Sequence, residues 1–302
     1  MTFAVAAVRI VTAVSLVTAG AAASGDVSGD CHDAVPPFMV ATTSWHSTAA
    51  MASPPGSVRI REYGVKLGLY RVERKHSRFD FTIDYQYSHL ALGGIDSRNR
   101  DVHRLSFPVR FVWESDRRLV RGYIAPGIAT SSNVFKDFFN RGSSDDLTID
   151  GRIEVGSTAP PGWIVGIAYD QSFGEPRLYP VAGIDLRPRD SLRVRIAYPD
   201  SGVWYRVSDR HSLSARLFPS GERWHVVSDD FRSDFDLRRE EWRTQLTWSM
   251  ALGKRVALDV TAGHTFDRRL ALTDRAGVRI HQDVSSEGFA EIGIRLGGLS
   301  SR

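Results

Sequence analysis

The sequence predicts an all-β protein: a single closed antiparallel transmembrane β-barrel of about fourteen strands, with about twelve to sixteen admissible. Three observations carry that expectation. Apolar and polar side chains alternate at period two, so successive residues point to opposite faces of a strand. The alternating segments are long, and tight polar turns separate them on one side while longer segments separate them on the other. No stretch after the N-terminus approaches the roughly 18 consecutive apolar residues of a helical membrane span.

The first residues set the expected compartment. Arg9 is followed by an apolar run from Ile10 to about Val17 and by small residues at Ala19–Ala23. This is the layout of a cleaved secretory signal peptide over 1–23. A flexible segment, 24–36, and a barrel domain, 37–302, are expected to follow. Cys31 is the only cysteine, so no internal disulfide is available and backbone pairing must hold the exported chain.

The strands follow in order. "FMVATTSWH" opens a weak first strand, 37–47. The second, 58–71, sets Tyr63, Val65, Leu67 and Leu69 against Glu62 and Lys66. The third, 78–90, is the clearest: Phe79, Phe81, Ile83, Tyr85 and Tyr87 alternate with Asp80, Thr82, Asp84, Gln86 and Ser88. The fourth, 104–114, alternates Leu105, Phe107, Val109, Phe111 and Trp113 with arginine, serine and glutamate. Strands at 119–133, 147–158, 163–173, 178–187, 191–198, 203–208, 212–228, 241–252, 256–268 and 286–298 complete the count. An even count returns both ends to the periplasmic side.

Tight turns are expected at 72–77, 115–118, 159–162, 188–190, 209–211 and 253–255. Longer loops are expected at 48–57, 91–103, 134–146, 229–240 and 269–285, with short exceptions at 174–177 and 199–202. A soluble sandwich or lipocalin-like protein would also alternate, but with strands near 5–6 residues. These are about twice that length. Their apolar faces often carry Tyr or Trp, as membrane-interface girdles do. The address is therefore the cell outer membrane. Its expected partners are outer-membrane lipid, lipopolysaccharide, the assembly machinery and small solutes. The net charge of +4 comes from arginines dispersed among acids, without the basic run or Gly-aromatic motif of a nucleic-acid binder.

The polar faces should line the lumen. Strands eight to twelve contribute Arg187, Arg193, Arg195, Arg206, Arg216 and Arg243, an expected basic wall. Strands thirteen, fourteen, two and three contribute Asp259, Glu291, Glu62, Asp80 and Asp84, an expected acidic wall. A wet lumen of this kind would pass or bind small polar or anionic solutes. A dry one would require the charges to neutralise each other in a plugged, structural barrel.

No catalytic, cofactor or metal site is expected. A lipid-modifying barrel enzyme needs a serine activated by a histidine on the same face. His46-Ser47, His76-Ser77 and His211-Ser212 are neighbours and point apart, and no His-x-Ser occurs; only a pair across strands would remain. The acidic stretches 142–146 and 228–236 lack calcium-loop spacing and read as solvated loops. Phe138, Phe139, Phe231 and Phe235 read as packing within the loops, the alternative being contact with lipopolysaccharide or an apolar ligand.

At "YPVAGIDLRPRDSLRVRIAYPDSGVWYRVSDRHSLSARL" (179–217), Gly183, Pro188, Pro199 and Tyr205 punctuate short strands and "SDRHSLSA" opens the next. This stretch resembles a family of proteobacterial outer-membrane β-barrels catalogued only as a domain of unknown function. The resemblance implies an outer-membrane barrel and carries no activity or catalytic residues. One feature departs from such barrels: they often end on an aromatic residue used in assembly, whereas this chain ends "RLGGLSSR".

Overall fold

The computed structural model describes residues 38–52, 55–94, 99–159, 162–228, 233–274 and 279–297. The expected signal peptide, the 24–36 segment, Cys31 and Phe231 lie outside the described residues.

The chain forms one antiparallel sheet closed on itself. In chain order the strands are β1 (Met39–His46), β2 (Ala49–Met51), β3 (Gly56–Arg74), β4 (Ser77–Gly93), β5 (Arg100–Ser106) and β6 (Val109–Glu114). Then come β7 (Arg118–Ser131), β8 (Leu147–Ser157), β9 (Gly162–Asp170), β10 (Arg177–Arg189), β11 (Leu192–Tyr198) and β12 (Ser201–Arg206). The last are β13 (His211–Pro219), β14 (Glu222–Ser228), β15 (Ser233–Ala251), β16 (Val256–Asp274), β17 (Arg279–Val284) and β18 (Glu287–Leu296). Two short helices, α1 (Ser132–Lys136) and α2 (Phe138–Arg141), follow β7.

Four walls of the barrel are interrupted strands: β1 with β2, β5 with β6, β13 with β14, and β17 with β18. Counted as walls there are fourteen, the expected number, each at its expected place along the chain. The break between β5 and β6 falls at Pro108, which has no N–H for the ladder. Its carbonyl still accepts from the Thr82 amide at 3.0 Å. Closure runs through β1 and β18, paired from Met39↔Leu296 to His46↔Phe289. A closed sheet leaves no edge for lipid to satisfy.

Outward-facing Ile149, Ile153, Val165, Ile167, Ile196, Leu246 and Ile292 are each more than two-fifths exposed, on alternate residues around the sheet. Large apolar side chains presented in this density to water would be a liability, whereas in hydrocarbon they are solvated. Among the described residues no helix is long and apolar enough to cross a membrane. The spanning elements are the strands.

The expected long loops differ from what forms. Most of 229–240 and 269–285 is strand: β15 and β16 each run 19 residues and pair from Phe235↔Asp274 to Ala251↔Ala257. Likewise β2 and the start of β3 take up half of 48–57, and the end of β4 with the start of β5 take up about half of 91–103. These segments lose clean alternation because both faces change environment above the membrane. A neighbour that also extends keeps their backbone groups paired.

Candidate functional site: the lumen and its closed mouth

The loop end of the barrel is shut by its own sheet. β12 begins at Ser201, paired with Leu217, so β13 has no neighbour on that side beyond this point. A lone strand edge must find other partners. At Pro219–Gly221 the chain turns inward. Gly221 fits because a Cβ there would lie 2.1 Å from the Gly174 nitrogen. The Gly221 amide donates to Ser172 O at 2.6 Å, and the Arg223 amide to Gln171 Oε1 at 3.1 Å. β14 then crosses the mouth and meets β7 in parallel at His225↔Thr130, six walls away. Thr130 Oγ1 donates to His225 O (3.2 Å), the Val227 amide to Ser131 Oγ (3.2 Å), and Asn133 Nδ2 to Val227 O (2.7 Å).

Beneath the crossing hairpin lies an apolar core. Val58, Ile60, Leu90, Val102, Ala129, Trp224, Val226, Leu237, Leu270 and Val284 form one buried cluster, drawn from both sides of the mouth. Trp224 is only 1% exposed.

Deeper still is a buried ionic layer. Glu62 accepts from Arg239 Nη1, Arg243 Nη2 (3.2 Å) and Ser44 Oγ (3.3 Å). Glu241 pairs with Arg243 Nη2 (2.7 Å) and Arg268 Nε (3.0 Å). Glu287 pairs with Arg268 Nη2 (2.8 Å), and His46 sits between Glu287 (2.9 Å) and Glu62 (3.4 Å). Glu222 accepts from Arg239 Nη2 (2.8 Å) and Gln86 Nε2 (3.2 Å). Charges out of water persist only when paired and hydrogen-bonded, and each carboxylate here has a cationic partner. This layer ties walls one, two, three, eleven, twelve, thirteen and fourteen together.

Across the lumen a second cluster joins shorter strands. Arg152 Nη2 donates to Asp200 (2.9 Å), Arg195 Nη2 to Glu154 (2.7 Å), and Arg193 Nε to Asp185 (2.8 Å). Arg104 pairs with Asp150. The Arg193 guanidinium lies 5.5 Å from the Trp204 ring.

Of the residues expected to line the lumen, Glu62, Asp80, Arg193, Arg195 and Arg243 are buried. Asp80 is held by Arg71 (2.6 Å) and Arg78 (3.1 Å), Asp84 by Lys66 (3.4 Å), and Asp259 by Arg295 (2.7 Å). Glu291 stands on β18 opposite Ser44 and Thr261. Arg216 lies 4.7 Å from the Phe218 ring, and Arg206 donates to Asp190 O (3.2 Å). Arg187 is exposed, beside the irregularity between Leu186 and Arg189. The structure brings Arg243 directly onto Glu62, and Arg193 onto Asp185, so the two charge signs meet as local pairs. Sequence reasoning missed Glu222, Arg239, Glu241, Arg268 and Glu287. Arg239 and Arg268 lie in or beside stretches read as loops, and their spacing of two from Leu237 and Leu270, which puts each pair on one face, was the available signal.

The acidic loop 142–146 uses its carboxylates locally: Asp146 accepts from the Ser143 amide at 2.7 Å and caps a short 3₁₀ turn. Among the described residues no group of three or more His, Cys, Asp or Glu is arranged to hold a metal ion.

Residues 161–295 match a family model described as Domain of unknown function (DUF6268), and the resembling stretch 179–217 lies inside this match. No curated protein matches the sequence. Among solved structures, the COG4313 outer membrane channel from Pseudomonas putida F1 is similar at 10% identity, over 92% of this chain and 100% of that one, with a TM-score of 0.48. The translocator domain of the autotransporter NalP from Neisseria meningitidis is similar at 11% identity, over 98% and 97%, with a TM-score of 0.42. The P. putida toluene transporter TodX is similar at 10% identity, over 87% and 91%, with a TM-score of 0.40.

Proposed function

We propose that the protein is an outer-membrane β-barrel whose lumen is a gated pathway for small polar or anionic solutes, closed at rest at its loop end. The outward apolar belt supports the membrane address. The observation that carries the gating is the seat of β14 on β7, which lays a hairpin across the mouth above an apolar core. Passage requires that hairpin to leave its seat, after which solutes would meet the paired arginines Arg193 and Arg195.

Planar-bilayer conductance tests this. The intact protein should be silent, and replacing the β14–β15 crossing (222–238) with a short turn should give steady conductance. Reversing Arg193 and Arg195 to Glu in that open variant should move the zero-current potential toward cation preference. A standing conductance in the intact protein would refute a closed resting state. Silence in both would favour the second reading, a structural barrel with a permanently filled lumen, which the cationic partner of each carboxylate in the buried ionic layer favours.

A further inference from the structure

A second cluster of chemistry-bearing side chains lies outside the lumen, on the outer face where β4, β5 and the start of α1 meet. Tyr85 and Tyr87 of β4 and Asp101 and His103 of β5 share that face, with Tyr87 directly opposite His103. Ser132 opens α1 just past the end of β7, whose Thr130 is opposite His103. The His103 ring is tied at both nitrogens: Nε2 lies 2.6 Å from Ser132 Oγ, and Nδ1 lies 2.8 Å from Tyr85 Oη. Phe135 stacks on the imidazole at 4.5 Å and 7°, with Tyr87 close on it at 5.1 Å. Asp101 is fixed by Tyr87 Oη (2.7 Å) and His89 Nδ1 (2.6 Å).

We propose that Ser132 and His103 form a nucleophile–base pair that hydrolyses carboxylic esters of long-chain amphiphiles at the outer face of the barrel. A serine is a weak nucleophile until a base within hydrogen-bond reach removes its proton, and the base must be held by a third group. Ser132, His103 and Tyr85 have that geometry. With Nδ1–H donating to Tyr85 Oη, Nε2 is left free to accept from the Ser132 hydroxyl. Asp101 puts a carboxylate on the same face, where it favours the imidazolium that forms.

Ser132 Oγ attacks the ester carbonyl as its proton passes to His103 Nε2, giving a tetrahedral oxyanion. Collapse breaks the bond to the alcohol oxygen, which takes the proton from His103. Water, deprotonated by His103, then attacks the acyl-serine, and the fatty acid leaves as Ser132 regains its proton. The net change is ester plus water to acid plus alcohol. The long-chain class follows from the setting. The site sits among tyrosines on the belt face, and Phe139, on the adjoining helix, is 95% exposed. Such a side chain is suited to acyl chains and headgroups. Only the source of the substrate rests on the outer-membrane reading; the chemistry does not depend on the gate.

The test uses the full chain in detergent, with heat-modifiable gel migration as the check that each variant is folded. A fluorophosphonate probe should label Ser132, as mapped by mass spectrometry. S132A should abolish labelling, and H103Q should lower ester hydrolysis by at least about a hundredfold, the usual weight of a general base. Y85F, a positioning change, should slow the labelling of Ser132 and alter the pH profile of hydrolysis. p-Nitrophenyl palmitate in mixed micelles should be cleaved faster than p-nitrophenyl acetate. No label at Ser132 in a folded barrel, or wild-type hydrolysis in both S132A and H103Q, would overturn the proposal. Equal or faster cleavage of the acetate would overturn the long-chain assignment.

Discussion

The barrel has a tall side and a low side. β3, β15 and β16 each run 19 residues, whereas β11 and β12 run 7 and 6. At roughly 3.3 Å per residue the tall strands reach about 60 Å and the shortest about 20 Å. An apolar band of about 25 Å crossed at a tilt uses only part of a tall strand. The remainder projects, and its inner face turns from charged to apolar: Glu62 gives way to Ile60 and Val58, and Arg239 to Leu237. The low side has no such extension, so its inner face holds paired charges and only a small apolar cluster, Ala168, Tyr179 and Val181 with Phe173 against them. The mouth closes because of this inequality. β13 outlives its neighbour β12, and its continuation folds over the low rim's absence to find β7.

Breaking the ionic layer under the tall side should have the largest effect. Glu62→Ala removes the buried carboxylate that Arg239, Arg243 and His46 share, leaving Glu222 and Glu241 alone to offset the two guanidiniums, a loss of about 3–5 kcal/mol. It should be read from the denaturant midpoint of the heat-modifiable shift. A change under about 1 kcal/mol would mean that water reaches this layer. Next comes the apolar core. Trp224→Ala should cost about 3–5 kcal/mol if the hairpin is packed as a unit, and should make the 222–238 segment newly susceptible to protease. Protection unchanged from wild type would show that β14 is held by its polar seam with β7 alone.

The low side offers the matched test on the outer face. Ile196→Arg should cost about 2–4 kcal/mol if Ile196 lies near the bilayer midplane, measured by folding into vesicles. Free tolerance would place β11 outside the apolar band. The smallest effect is expected at the top of the tall side, where Arg269 lies 3.8 Å from Asp283 with both side chains at least half exposed. Arg269→Ala should cost no more than about 1 kcal/mol, since solvent screens such a pair. A larger loss would mark that rim as covered by a partner.

Alternation alone identified Phe79 to Tyr87 as a two-faced strand, and did the same for thirteen other segments. It could do so because the direction of a side chain on a strand is a local property of the backbone. Strand number, the belt face and the inner placement of Glu62, Asp80 and Arg193 follow from that period. Which inner residues meet is not local. Glu62 and Arg239 are 177 residues apart, and their contact depends on how far neighbouring strands extend, a quantity set by pairing rather than by either segment. The same holds outside the lumen. His103 and Ser132 are 29 residues apart and share no strand, so a same-strand motif cannot find them. The fold of β14 into the mouth likewise depends on β12 ending early, because only an unpaired edge drives a strand across a lumen to another partner.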